Sequence, residues 1–309
     1  MVYNEEMKYW WIAASVVVLV SIVAGIFLLN KSEHSDIIPG LFTSKSNPEM
    51  AITQEAAKKL DEARLLLQDA KQVRIPLRSL QKQLDDAQRL FDERRFTNAV
   101  SAATALALAL SAELTKEKDK PKIAITYDAG AGVGPAPDLI KYLRETRTKI
   151  TLFSTGKWAE QNSGLLKQIL APEPNLPNEL GNHTYNHPHL VTGDLDDEQI
   201  RDQLLRTETV FQRLGYGAKP LFRYPYGEHD SRTDAIVKEL GYRVIGWSFD
   251  SLGWKRELTA EQIADRVVSK TKPGTIVLMH VGSPEDVAAF PLIVERLQFQ
   301  YRFVFISEL

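Results

Sequence analysis

Cysteine is absent from this 309-residue chain. Its absence excludes disulfides, thiolate metal ligands, a cysteine nucleophile and an acylated lipoprotein cysteine, and leaves any metal to His, Asp and Glu. A charge bias is also missing: Lys+Arg 38 against Asp+Glu 40 gives a formal net charge of -2. No attraction to nucleic acid follows from that balance, and none is expected as a partner. Hydrophobic residues at 44% and charged residues at 25% are ordinary for a folded globular protein. The length exceeds the common single-domain size, so two domains, or one domain with appendages, is the expectation.

Histidine is scarce, six in all, yet three fall within Gly181-Asn182-His183-Thr184-Tyr185-Asn186-His187-Pro188-His189. His183 and His187 stand four apart, so one helical turn would carry both imidazoles on one face. Two neutral imidazoles converging in that way suit a divalent metal, because fixing the first ligand largely positions the second. Surface or capping histidines are the bland alternative. Pro188 forbids a continuing helix, so the pair is expected on a short turn.

Residues 10–29, WWIAASVVVLVSIVAGIFLL, carry no charge. At ~1.5 Å per residue they cover roughly 30 Å, the hydrocarbon thickness of a bilayer. Trp10 and Trp11 sit where interfacial anchors do. A cleavable signal peptide is the rival, but its apolar core would be shorter and no small-x-small site follows. Residues 1–31 are therefore predicted to be a single-span membrane anchor. Residues 32–47, rich in Ser, Pro, Gly and Asn and without a period, are predicted to be a linker.

Residues 48–118 are predicted to form a small all-α hairpin unit. Ile52, Ala56, Leu60, Ala63, Leu67, Ala70 and Val73 recur at steps of three and four, and Ile75-Pro76 breaks that helix. Leu77, Leu80, Leu84, Ala87 and Phe91 line a second run, and Phe96, Ala99, Val100, Ala103, Leu106, Leu110 and Leu114 a third. The unit is faintly similar to a tetratricopeptide hairpin. A spacer and a surface for a protein partner are both open readings.

From residue 121 to 309 the rhythm changes to short apolar strands alternating with helices. Strands are predicted at 123–127, 150–154, 179–181, 221–224, 243–247, 274–279 and 301–306. Thr259 with Gln262 forms a capping box, and Ser283-Pro284 reads as an N-cap with a first-turn proline. Seven strand-then-helix units predict an α/β fold, a parallel (β/α)7-type distorted barrel, with its site at the carboxyl ends of the strands. Polar clusters fall there on five strands: Asp128 on the first, His183 and His187 after the third, Arg223 and Tyr226 on the fourth, Asp250 and Trp254 on the fifth, and Leu278 and His280 on the sixth.

Those clusters resemble the five motifs of the NodB-type polysaccharide deacetylases, carbohydrate esterase family 4. They read TYDAG at 126–130, HTYNH at 183–187, RYPY at 223–226, DSLGW at 250–254 and LMH at 278–280. The resemblance implies metal-assisted removal of N-acetyl groups from a polysaccharide, with a divalent ion, usually zinc, held by His183 and His187. It implies Asp128 as general base, Arg223 as the cation orienting it, and His280 as general acid. The backbone N–H of Tyr226 would help bind the oxyanion. Trp254, Leu278 and Asp250 would line the substrate pocket, core packing being the plain alternative for the first two.

The chain departs from the family pattern twice. The metal-binding aspartate is Ala129 here, leaving two protein ligands where catalytic zinc normally has three. The aspartate that tunes the acid histidine is Gly253, a loss expected to lower the His280 pKa and loosen the ring. An N-deacetylase acting on an envelope or exported glycan, with its catalytic domain outside the cytoplasm, is the first expectation. A membrane-tethered pseudoenzyme that binds glycan or scaffolds a complex is the second.

Overall fold

The computed structural model describes residues 47–309 except Val73, Arg74, Pro76 and Asn175. The predicted anchor at 1–31, and the linker apart from Asn47, lie outside the described residues. Three helices come first: α1 (Pro48–Gln72), α2 (Arg78–Asp92) and α3 (Phe96–Asp119). Most of the periodic residues are buried, while Ile52, Leu77, Phe91, Phe96 and Val100 are half-buried. Leu60, Leu67, Leu80, Leu84, Leu106 and Leu110 share one core with the small residues Ala63, Ala70, Ala87 and Ala103. Among the described residues, α3 is the one helix long and apolar enough to cross a membrane. Its apolar face is spent on that core, which is reason enough for its hydrophobicity.

The remainder alternates strand and helix. β1 (Lys122–Ala129), β2 (Thr151–Ser154), β3 (Glu179–Asn182), β4 (Leu221–Phe222), β5 (Arg243–Val244), β6 (Phe249–Asp250), β7 (Ile276–His280) and β8 (Arg302–Phe303) are all parallel to their partners. The order is β5-β4-β3-β2-β1-β7-β6, with β8 against the first two residues of β1. α4 (Ala136–Thr146), α5 (Gly156–Gln161), α6 (Ser163–Leu170), α7 (Asp197–Arg213), α8 (Ser231–Glu239), α9 (Ala260–Lys270) and α10 (Pro284–Leu297) are the connecting helices. The helix starts expected at Thr259 and Ser283 are present, each side chain accepting a backbone N–H.

Among the described residues eight strands stand where seven were predicted: the predicted strand 243–247 stops at Val244, and β6 follows beyond it. β5 ends at Val244, and the chain pairs again from Ser248, whose N–H donates to the Ile276 carbonyl, into β6 against β7 on the other side of the sheet. The break has a local cause. Arg223 Nε donates to the carbonyl of Ile245 and Nη2 to that of Gly246, at 3.2 and 3.1 Å, so these oxygens serve a side chain instead of a ladder.

β1 shows how the sheet divides its faces. Ile123, Ile125, Tyr127 and Ala129 join the apolar layer shared with the helices, while Ala124 packs with Phe153, Leu221 and Ile245 in a separate cluster. Thr126 and Asp128 alternate onto the face of Ala124. Asp128 is thereby carried to the carboxyl end of the sheet, on the side away from the helix-facing core.

Candidate active site

A cavity of about 590 Å³ opens at the carboxyl ends of the strands. Eight of the nine predicted site residues line it: Asp128, His183, His187, Tyr226, Asp250, Trp254, Leu278 and His280. The ninth, Arg223, is fully buried behind it. One Arg223 Nη1 donates to Asp128 Oδ1 at 2.8 Å and to Thr126 Oγ1 at 2.8 Å. Its guanidinium carbon lies 4.0 Å over the Phe153 ring, and that ring occupies the space a Cβ at Gly181 would need, only 2.3 Å away. Only glycine at 181 permits this stack, so the base, its cation and the aromatic floor form one packed unit.

Burial pushes the Asp128 carboxyl up, but Arg223, His183 and His280 together outweigh it and leave the group below its ordinary value. Asp128 is therefore ionised at neutral pH. His183 is buried against it, with Nε2 3.4 Å from Asp128 Oδ2 and Nδ1 2.8 Å from the carbonyl of Arg223. A carbonyl accepts only, so Nδ1 carries the proton and Nε2 presents its lone pair. His187 follows on a loop, without a helical turn: Thr184 and His187 both take left-handed backbone angles, φ 65° and 62°. Thr184 Oγ1 accepts the His187 N–H, and the two imidazoles meet edge to face at 4.8 Å. Burial and the neighbouring His183 lower His187 to about 4, so both rings are neutral near pH 7.

These donors fit a divalent ion through two imidazoles. Each ring is neutral, and His183 is fixed through its other nitrogen as metal-binding histidines usually are. Among the described residues no group of three His, Asp or Glu is assembled for a metal. Ala129 explains the shortfall: fully buried, it belongs to the apolar layer between sheet and helices.

His280 stands at the end of β7, beside Asp128 in the register of the sheet. Trp254, 52% exposed, projects beside it with ring centroids 6.4 Å apart. Asp250, expected to contact substrate, receives the Trp254 indole N–H at 2.8 Å and the Leu252 backbone N–H at 2.8 Å. It therefore orients the tryptophan and shapes the turn. Tyr226, at φ 60° and 54% exposed, stacks on His189 at 3.8 Å and meets His187 edge-on at 4.6 Å. Trp254 and Tyr226 make two exposed aromatic surfaces on the cleft.

The expected weakening of His280 by Gly253 is contradicted. A carboxylate is present, supplied by Asp286 of α10. It is wholly buried, and Oδ2 accepts the His280 backbone N–H at 2.9 Å and lies 3.4 Å from His280 Nδ1. A Cβ at Gly253 would sit 2.2 Å from Asp286 Oδ1, so glycine leaves the space that this carboxylate fills. Burial by itself pushes the His280 pKa down, but Asp286, Asp128 and Asp250 together raise it above the ordinary value. Sequence reading passed over Asp286 as part of a helix start. The available signal was an acid three residues beyond the Ser283 cap and six beyond His280. It also passed over Thr126, Tyr224 and Trp247, the first bonded to Arg223 and the others in the cavity wall.

A parallel α/β fold with an ionised carboxylate and a histidine of raised pKa side by side in one cavity offers the groups that a hydrolase site needs. Comparison with known proteins specifies which. A family model described as polysaccharide deacetylase matches residues 115–245. A peptidoglycan-N-acetylglucosamine deacetylase of Bacillus cereus is 34% identical over 180 residues, 56% of this chain and 80% of that protein. A second protein of that description from the same organism is 31% identical over 144 residues, 47% of this chain and 50% of its own length. Among solved structures, a wild-type CE4 family pseudoenzyme of Bacillus anthracis superposes with TM-score 0.56 and 28% identity, over 62% of this chain and 66% of that one. The chain belongs to the polysaccharide deacetylase family, and its homologues are carbohydrate deacetylases, which are hydrolases. The family-model match ends at residue 245, before the segments that hold Gly253 and Asp286.

Proposed function

We propose that the chain removes N-acetyl groups from a polysaccharide of the acetylglucosamine type, an envelope or exported glycan, with a divalent metal, zinc first among candidates. The observation that carries this reading is that Asp128, held by Arg223, and His280, with the Asp286 carboxylate behind it, stand side by side on β1 and β7 in one cavity. His183 and His187 would hold the metal, which when bound supplies Lewis-acid polarisation of the acetyl carbonyl and of water. Asp128 takes a proton from the attacking water while Arg223 keeps its carboxylate oriented. As the water oxygen bonds to the carbonyl carbon, the backbone N–H of Tyr226 donates to the developing oxyanion. His280, protonated, donates to the nitrogen as the C–N bond breaks, releasing acetate and a free amine. Trp254 and Tyr226 offer rings on which sugar faces can pack.

The second reading, a glycan-binding pseudoenzyme, draws on Ala129 and on the likeness to the Bacillus anthracis protein. Acetate release from N-acetylglucosamine oligomers and peptidoglycan, with zinc, cobalt or nickel supplied, separates the two. Release that is lost in Asp128→Asn and His280→Ala supports the enzyme. Glycan binding without release at saturating metal supports the pseudoenzyme.

A further inference from the structure

We propose that Asp286 is a positioning residue for the deacetylation: from α10 it supplies His280 with the carboxylate partner that the strand-end segment lacks at Gly253. The proposal rests on the deacetylase reading for its catalytic meaning, but the pairing itself is testable without turnover.

Asp286 is the third residue of α10, where the Ser283 hydroxyl accepts its backbone N–H at 3.1 Å. A helix N-terminus favours a negative charge, and this one directs it toward β7. The carboxylate is fully buried. Oδ2 is engaged by the His280 backbone N–H, while Oδ1 has no hydrogen-bond partner among the described residues. An ionised carboxylate with one neutral donor is costly to bury unless a positive charge lies beside it. His280 is that charge when protonated. Its Nδ1 is buried, 3.4 Å from Asp286 Oδ2 and without a hydrogen-bond partner among the described residues. A carboxylate on the Nδ1 side holds the ring in orientation and stabilises the imidazolium that delivers the proton.

The other groups around His280 are engaged elsewhere. Asp128 of β1 is bound by Arg223, and Asp250 of β6 by Trp254 and Leu252. His183 and His187 line the same cavity as neutral rings, and Arg256 lies in its wall. Gly253 completes the case from the steric side. The absence of its side chain is what admits Asp286 Oδ1, so glycine at 253 and aspartate at 286 are one exchange of a carboxylate between two elements.

The test measures the His280 titration by NMR in metal-free full-length protein without substrate, alongside acetate release against pH with zinc. In wild type His280 should titrate above the ordinary value near 6.5. In Asp286→Asn, which keeps an acceptor for the His280 N–H, it should fall by about one pKa unit or more. In the same variant kcat should drop by about 10²-fold at little-changed KM, with the alkaline limb displaced to lower pH. Gly253→Asp/Asp286→Ala, which returns the carboxylate to the strand-end side, should recover the higher His280 value. An unchanged His280 in folded Asp286→Asn overturns the proposal, as does a wild-type His280 titrating below 6.5 should the variant fail to fold. A displaced His280 in a wild type that releases no acetate supports the pairing and rejects only the deacetylase reading.

Discussion

Asp128 and His280 are each held in the protonation state that their proposed roles need. The Asp128 pKa is lowered, so this base stays ionised until well into acid. The His280 pKa is raised, so this acid keeps its proton to above pH 6.5. His187 protonates at about 4 and closes the window on the acid side. The rate of deacetylation should therefore be flat from above pH 4 into the neutral range and fall on the alkaline side as His280 deprotonates, a profile that acetate release across buffers measures. Stability follows the same sign for His280. Its contribution is full below the unfolded value near 6.5 and is lost as pH rises through the folded value, so melting temperature should decline there in the wild type. Arg223 is the most consequential single side chain. Arg223→Met leaves Asp128 buried without its counter-ion, and denaturant unfolding should register a loss of roughly 3–5 kcal/mol.

At the scale of elements, the site depends on one strand end borrowing from a helix. Gly253→Asp alone, the change that family resemblance first suggests, places a second carboxylate against Asp286 where a Cβ already falls at 2.2 Å. It should lower both melting temperature and acetate release, whereas the same change combined with Asp286→Ala should not. Ala129→Asp acts on the other wall. A carboxylate at the end of β1 should tighten zinc at least 10-fold, taking outer-shell effects of about 10–100-fold as the floor. It should do so at a cost in thermal stability without metal, because residue 129 lies in the apolar layer. Calorimetry with and without zinc reads both effects. The helical unit has its own core, so Leu106→Ala should cost about 2–5 kcal/mol there, and acetate release by the folded fraction should be unchanged.

For the whole molecule, residues 52–309 form one compact unit that contains both the helices and the α/β fold. We propose that residues 1–31 anchor this unit to a membrane, with the catalytic cleft outside the cytoplasm and the helices acting as a spacer or a partner surface. Cell fractionation should leave the chain in the membrane pellet after high-salt washing. Protease added to intact cells should digest residues 121–309; a protected catalytic domain would refute the orientation.

The sequence by itself determined the helical core, the strand-and-helix alternation and eight residues of the cleft. Those follow from local rules: Leu60, Leu84 and Leu110 recur at helical steps, and the polar clusters at 128, 183–187, 223 and 280 each end a strand. Tertiary structure alone decided the rest. That Asp286 replaces the side chain missing at Gly253 depends on α10 packing against the turn after β6, two segments some thirty residues apart in the chain. That the predicted fifth strand stops at Val244 depends on the Arg223 guanidinium reaching the carbonyls of Ile245 and Gly246. Both are matters of where a buried charge finds its partner, and that is set by packing in three dimensions, which local spacing does not encode.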